Sequence, residues 1–318
     1  SGCTAIGHNT LSALTSGINN TALGKNCLAL TTTGNSNVAV GSNAADATTT
    51  GGSNIAVGTT ALSANTTGSQ NIAIGTNTLD ASTTASQNIA IGHVAMTDNT
   101  SGTANVAIGV SSLGDNTTGS NNIGLGNNTL ITNTTGAQNV AVGTGALFAN
   151  TEADRNTAVG HAALNSNTTG ISNVGIGYFA LNSNTTGQQN AGIGARSLES
   201  NTGSSNTAVG FKSLLNNVGG NFNAAFGTFS LDANTTGTSN SGFGADALGG
   251  VTSGNNNTAV GRSAASNITT SVANTAVGSL SLDAETTGAS NVAVGYQSLS
   301  TQNGGSDNTA VGENAGFA

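Results

Sequence analysis

Acid–base or metal chemistry in this 318-residue chain would have to begin with three histidines, His8, His93 and His161. They are separated by 85 and 68 residues, five and four multiples of 17. If each multiple is one step of a stacked repeat, the imidazoles lie about 24 and 19 Å apart, too far to share a metal or a catalytic triad. The acidic residues Asp46, Asp80, Glu199, Asp232 and Asp283 recur singly at one place in the same period, on a face expected to be solvated. A calcium-binding roll needs G-G-x-G-x-D with an Asp in successive turns, and that pattern is absent. Gly175-Ile176-Gly177 lacks the third glycine and the following helix of a dinucleotide loop. Serine is abundant, but no His–Asp pair is placed to activate it. The expectation is a protein without catalytic, cofactor-binding or metal-binding residues.

Composition narrows the classes further. Charged residues make up 6% and aromatics 3% of the chain, with 47 Gly and no Pro, so few large side chains are available for a conventional core. The formal charge is −8, and the only bases are Lys25, Arg155, Arg196, Lys212 and Arg262, too few and too scattered to neutralise a nucleic-acid backbone. No run approaches the roughly 20 apolar residues of a membrane-spanning helix. Cys3 and Cys27 are too few for a disulfide framework.

The elements that must position these residues come from one repeat. Gly7, Gly24, Gly41 and their successors to Gly312 form nineteen anchors; seventeen of the eighteen intervals are 17 residues and one, Gly194 to Gly210, is 16. Numbered from its Asn, the consensus is N-[TVI]-A-[VI]-G-x-x-[AST]-L-x-x-N-T-T-G-x-x. Position 4 is always apolar and position 9 is Leu in fifteen copies. Seventeen residues with two short apolar segments and two glycine-bearing turns are too few for a helix pair, and β-branched enrichment favours strands. The reading is an all-β parallel β-solenoid, or β-roll, of about 18–19 rungs, forming one continuous repeat domain over 1–318. At about 4.8 Å per rung it would be a rod on the order of 85 to 90 Å long, expected to be part of a longer chain or a polymer.

Stacking places equivalent residues above one another. The first position holds Asn in eighteen of nineteen copies. A structural Asn ladder is therefore expected along Asn20, Asn37, Asn54, Asn71, Asn88, Asn105, Asn122, Asn139, Asn156 and Asn173 and onward. Positions 2 and 4 are read as facing the interior, because position 2 shrinks to Ala224 or Ser241 where position 4 grows to Phe226 or Phe243. Position 3 is Ala or Gly in every copy. Pointing the other way and never carrying Thr, Ser or Lys, it is expected to be a packing strip (Ala39, Ala56, Ala73, Ala90, Ala107, Gly124, Ala141, Ala158) covered by another copy of the chain or by a flat external surface, the alternative being a wall lined by small residues for internal reasons.

The N-T-T-G turn spells N-glycosylation acceptors at Asn65, Asn133, Asn167, Asn184 and Asn234. Its threonine rows could match an ice lattice. As plain turn chemistry, Asn and Thr bond local backbone and Gly takes the positive φ. The shortened repeat, Asn201-Thr202-Gly203, loses its residue in this turn, as an exposed loop tolerates.

Segments such as Asn71-Ile72-Ala73-Ile74-Gly75 and Asn156-Thr157-Ala158-Val159-Gly160, followed by a small residue and Leu, resemble the head repeats of trimeric autotransporter adhesins. They are similar also to repeats of phage tail fibres and other bacterial surface proteins. The resemblance covers the chain and implies a β-roll, three chains side by side, and surface attachment. The uniform 17-residue period is longer than usual in those heads, and neither a coiled-coil stalk nor a membrane anchor is present in the sequence.

Together these readings predict an extracellular or cell-surface structural fibre or filament protein that self-associates laterally, end to end, or both. Consensus rungs without polar caps at both ends agree with end-to-end stacking. The alternatives are a receptor-binding adhesin or tail-fibre shaft with cell-surface or glycan ligands, and an ice-binding protein. No nucleic-acid partner and no membrane insertion are expected.

Overall fold

The computed structural model describes residues 2–316. Among them every regular element is a three-residue strand, β1 (Thr4–Ile6) to β9 (Val140–Val142) and β10 (Thr157–Val159) to β19 (Thr309–Val311). The chain divides into two compact units, one ending at Asn156 and the other starting at Thr157. Each unit is a parallel β-solenoid in which one repeat makes one rung. In the first unit Ile55, Ala56 and Val57 lie beside Ile72, Ala73 and Ile74. In the second, Thr207, Ala208 and Val209 lie beside Ala224, Ala225 and Phe226.

The strands are short, yet backbone pairing continues around the rung. The Ile72 N–H donates to the Asn88 carbonyl at 2.8 Å, Gly75 N–H to the Val57 carbonyl at 2.8 Å and Leu79 N–H to the Ala95 carbonyl at 3.0 Å. Satisfying backbone groups from neighbouring rungs lets a Gly- and Asn-rich segment stay ordered with little side-chain bulk.

Closing a rung in so few residues takes four left-handed corners. In the rung that begins at Asn71 these are Gly75 (φ 138°), Asn77 (52°), Leu79 (54°) and Gln87 (63° at Gln70 and 64° at Gln87 in successive rungs). A left-handed leucine costs roughly 1–2 kcal/mol. Leu79 is fully buried, and burial of such a side chain is worth about 1.5–3 kcal/mol, which offsets the strain. Glycine is obligatory at position 5 for a second reason: a Cβ on Gly75 would sit 2.4 Å from the Gly92 carbonyl oxygen. The glycine of N-T-T-G is different. Gly68 is not among the positive-φ residues, and Ala85, Ala153 and Ser271 take its place in other rungs. Position 17 supplies the positive φ expected of that glycine.

The interior is narrow and reverses the predicted facing of the strands. Ala39, Ala56, Ala73, Ala90, Ala107, Ala141 and Ala158 are completely buried within a single chain, as are the leucines of position 9 from Leu28 to Leu282. Gly124 is buried as well, and a Cβ there would meet Ser112 Oγ at 2.6 Å and Thr129 Oγ1 at 2.8 Å. Position 3 therefore points inward, and the chain's own opposite wall excludes anything larger than a methyl group. The small-residue strip is not a surface awaiting a partner, and positions 2 and 4 point outward. The 16-residue rung keeps its register, Ala191 beside Thr207 and Ile193 beside Val209, with the missing residue taken from the exposed tip of the turn.

Candidate interaction surface

Reversing the strand puts an apolar residue of position 4 outward on every rung and a second one, at position 2, on eleven of the nineteen, Thr or Ser standing there on the other eight. Exposure reaches 37% at Ile55, 38% at Ile74, 39% at Ile108, 40% at Ile193 and 41% at Val260. The residues are mostly β-branched, which stiffens each row and suits it to a pleated surface. Each unit thus carries a ribbon of Val, Ile, Leu and Thr along the strands, interrupted by Phe226 and Phe243 in the second. Sequence periodicity located these residues correctly but assigned them to the wrong side.

The Asn ladder of position 1 lies inside and does structural work. Asn54 Oδ1 accepts the backbone N–H of Asn71 at 3.0 Å and an Nδ2 hydrogen at 3.2 Å, while Asn71 Nδ2 also donates to the Ala85 carbonyl at 2.8 Å. The same backbone N–H to Oδ1 contact joins Asn20 to Asn37, Asn37 to Asn54, Asn71 to Asn88, Asn88 to Asn105, Asn105 to Asn122, Asn122 to Asn139 and Asn139 to Asn156. Asn173 donates to the Gly187 carbonyl at 2.8 Å. Cys3, at this position in the first rung, accepts the Asn20 N–H through sulfur at 3.4 Å.

A second buried ladder runs along position 12 and corrects the glycosylation reading. Asn65, Asn133, Asn167, Asn184 and Asn234 are all completely buried. Asn133 Nδ2 donates to Asn116 Oδ1 at 2.8 Å and to the Gly136 carbonyl at 3.0 Å. Both amide hydrogens are engaged in the interior, so the folded rung has no room for a sugar on that nitrogen. The acceptor motif arises because a turn asparagine is followed by exposed threonines. Eight rungs depart from this ladder, with Leu14, Thr31, Thr48, Ser82, Val251, Ile268, Glu285 and Gln302 at position 12. Glu285 is buried there, and its Oε1 accepts N–H groups of Thr287 at 2.9 Å, Gly288 at 2.5 Å and Gly304 at 2.8 Å. Its Oε2 has no partner.

The threonine row of position 13 hydrogen-bonds along the stack. Thr49, Thr66, Thr117 and Thr235 each donate Oγ1–H to the backbone carbonyl of the next rung, at 2.9 to 3.0 Å. These hydroxyl hydrogens serve rung-to-rung cohesion.

The corner at positions 6 and 7 carries all three histidines, each exposed and each on its own rung. In the second unit it also gathers aromatics. His161 stacks on Tyr178 with centroids 5.6 Å apart, Phe179 meets Tyr178 edge to face at 4.3 Å, and Phe211 meets Phe229 at 5.6 Å. Lys212 Nζ lies 5.2 Å from the Phe211 centroid and 5.6 Å from that of Phe229, within cation–π range. Arg196 pairs with Glu199 on the same corner.

The acidic row is half-buried rather than fully solvated. Burial pushes the carboxyls of Asp46, Asp80, Asp232 and Asp283 above their ordinary value, with Asp98 adding to the rise at Asp80 and Asp246 at Asp232. Asp115, beside Asp98 in a shallow depression with Val94, Ser111 and Ile131, is raised for the same reasons. Cys27 is buried, its thiol donates to the Gly41 carbonyl at 2.8 Å, and burial raises its pKa. Both cysteines are free, and no three His, Cys, Asp or Glu side chains converge among the described residues.

Against this geometry, no family model and no curated protein matches the chain.

Proposed function

We propose that this protein is a structural building block of an extracellular or cell-surface fibre, a β-solenoid whose copies associate side by side through the outward face of positions 2 and 4. The observation that carries this reading is the apolar ribbon of each unit, with Ile55, Ile74 and Ile108 left exposed in the first and Ile193 and Val260 in the second. Contiguous apolar surface beyond a few hundred Å² is uncommon on soluble monomers and marks an interaction face. The interior ladders are buried within one chain, so the ribbon is the surface with most to gain from a partner. The likeness of N-I-A-I-G and N-T-A-V-G to adhesin-head and tail-fibre repeats agrees with this assignment, which gives the chain no catalytic role.

Light scattering on the purified chain, with negative-stain microscopy, tests the reading. Multimers or lateral bundles that dissociate when Ile55, Ile72, Ile74 and Ile89 become Ser support it; a monomer at all concentrations up to 100 micromolar, on the order of a weak association constant, overturns it.

The corner with His161, Tyr178, Phe179, Phe211 and Phe229 favours attachment as a second role. Exposed aromatic faces beside polar groups offer stacking surfaces to sugar rings. Binding of glycans or cells that is lost in Tyr178→Ala/Phe211→Ala would support it, and equal binding by that variant would remove it.

A further inference from the structure

The size compensation between positions 2 and 4 lies on the outward face of the strand. Phenylalanine occupies position 4 in only two rungs, at the ends of β14 (Ala224–Phe226) and β15 (Ser241–Phe243), and there position 2 is Ala224 and Ser241. Both phenylalanines face outward, 38% and 41% exposed. Their rings stack 5.1 Å apart at an interplanar angle of 8°, making one block of two large side chains beside the two small ones of Ala224 and Ser241. Side chains on a free surface carry no shared volume constraint, whereas side chains in a packed layer do.

We infer that a second copy of this chain covers the face, running in the same direction with rungs level, so that Phe226 and Phe243 of one copy fill the hollows at Ala224 and Ser241 of the next. The inference rests on the lateral association proposed above and specifies its polarity and register. Two faces meeting about an axis along the stack bring position 4 of one against position 2 of the other. A shift of one rung sets a phenylalanine against Thr207 or Thr258, which are larger than the residues they replace. An antiparallel pair is turned about an axis along the strands and sets position 4 against position 4, so that centred between β14 and β15 it brings Phe226 against Phe243 and leaves Ala224 and Ser241 facing each other unfilled.

The test uses the full chain with Cys3→Asn and Cys27→Ser, the residues common at those positions in other rungs. One preparation carries Val38→Cys and another Val40→Cys, and the two are mixed, dissociated and reassociated under mild oxidation. A disulfide between V38C and V40C, about half of the maximum yield in a random mixture, is the expected product. A multimer without that disulfide overturns the level parallel register while leaving lateral association intact; absence of any multimer overturns the underlying reading as well. Independently, Ala224→Ile/Ser241→Ile fills the hollow and should weaken association at least tenfold. Moving the block within the rung (Ala224→Phe, Phe226→Ala, Ser241→Phe, Phe243→Ser) should restore it. Equal association of the filled variant and the parent overturns the block-and-hollow contact, provided that circular dichroism shows both folded.

Discussion

The two sides of one three-residue strand obey opposite rules. Inward, Ala73 and its equivalents face the leucines of position 9 and the backbone and short side chains of position 8, where an added methyl group has little room. Outward, Ile72 and Ile74 tolerate Thr, Val, Ala, Ser or Phe in other rungs. The inner side is constrained by geometry within the chain, and the outer side is free to vary until something docks on it. Uniformity therefore marks the core of this protein, and compensated variation marks its contact face.

The largest effect that tests this contrast is expected at the corner glycine. Gly75→Ala drives a Cβ toward the Gly92 carbonyl oxygen at a φ that side chains avoid. It should cost about 3 kcal/mol or more, read by urea denaturation. Ala73→Val on the inner side should cost about 1–3 kcal/mol, whereas the outer substitution Ile74→Val should change monomer stability by less than about 1 kcal/mol. Equal costs at the two positions would contradict the assigned facing.

A smaller loss is expected from the Asn ladder. Asn88→Ala removes the acceptor of the Asn105 N–H and the donor to the Gly102 carbonyl. Leaving buried groups unpaired should cost about 2 kcal/mol. The converse applies at Glu285, whose Oε2 is buried without a partner between Ile268 and Gln302 of the adjacent rungs. Glu285→Asn should raise stability by about 1 kcal/mol, and a lower melting temperature would show that its three N–H contacts outweigh the buried charge.

The gentlest perturbation is pH. Asp46, Asp80, Asp232 and Asp283 have folded pKa values above the model-compound range. The folded chain therefore binds protons before the unfolded one, and stability rises as pH falls through the raised folded values toward the ordinary carboxylate value. Melting temperature should increase on mild acidification, and the fourfold Asp→Asn variant should flatten that slope. A melting temperature that drops over the same interval in the parent alone would contradict the direction.

Much of the architecture was legible in the residues. The 17-residue spacing set the rungs, the glycine of N-x-A-x-G marked a corner that backbone contact enforces, and the deletion at Asn201-Thr202-Gly203 fell on the exposed turn. The second ladder carried a sequence signal too: Asn at position 12 recurs from Asn99 to Asn234 in every rung. That signal was masked because Asn followed by two threonines also spells a turn and a glycosylation acceptor.

Alternation along a strand says which residues share a side, and the sequence alone determined that positions 2 and 4 lie opposite position 3. It could not choose the side, because both sets are apolar and a period of two is unchanged when inside and outside are exchanged. Only closure of the rung decided it. The position-9 leucines and the position-8 residues come so close that just an alanine or a glycine fits beside them, and the larger branched side chains are left on the surface.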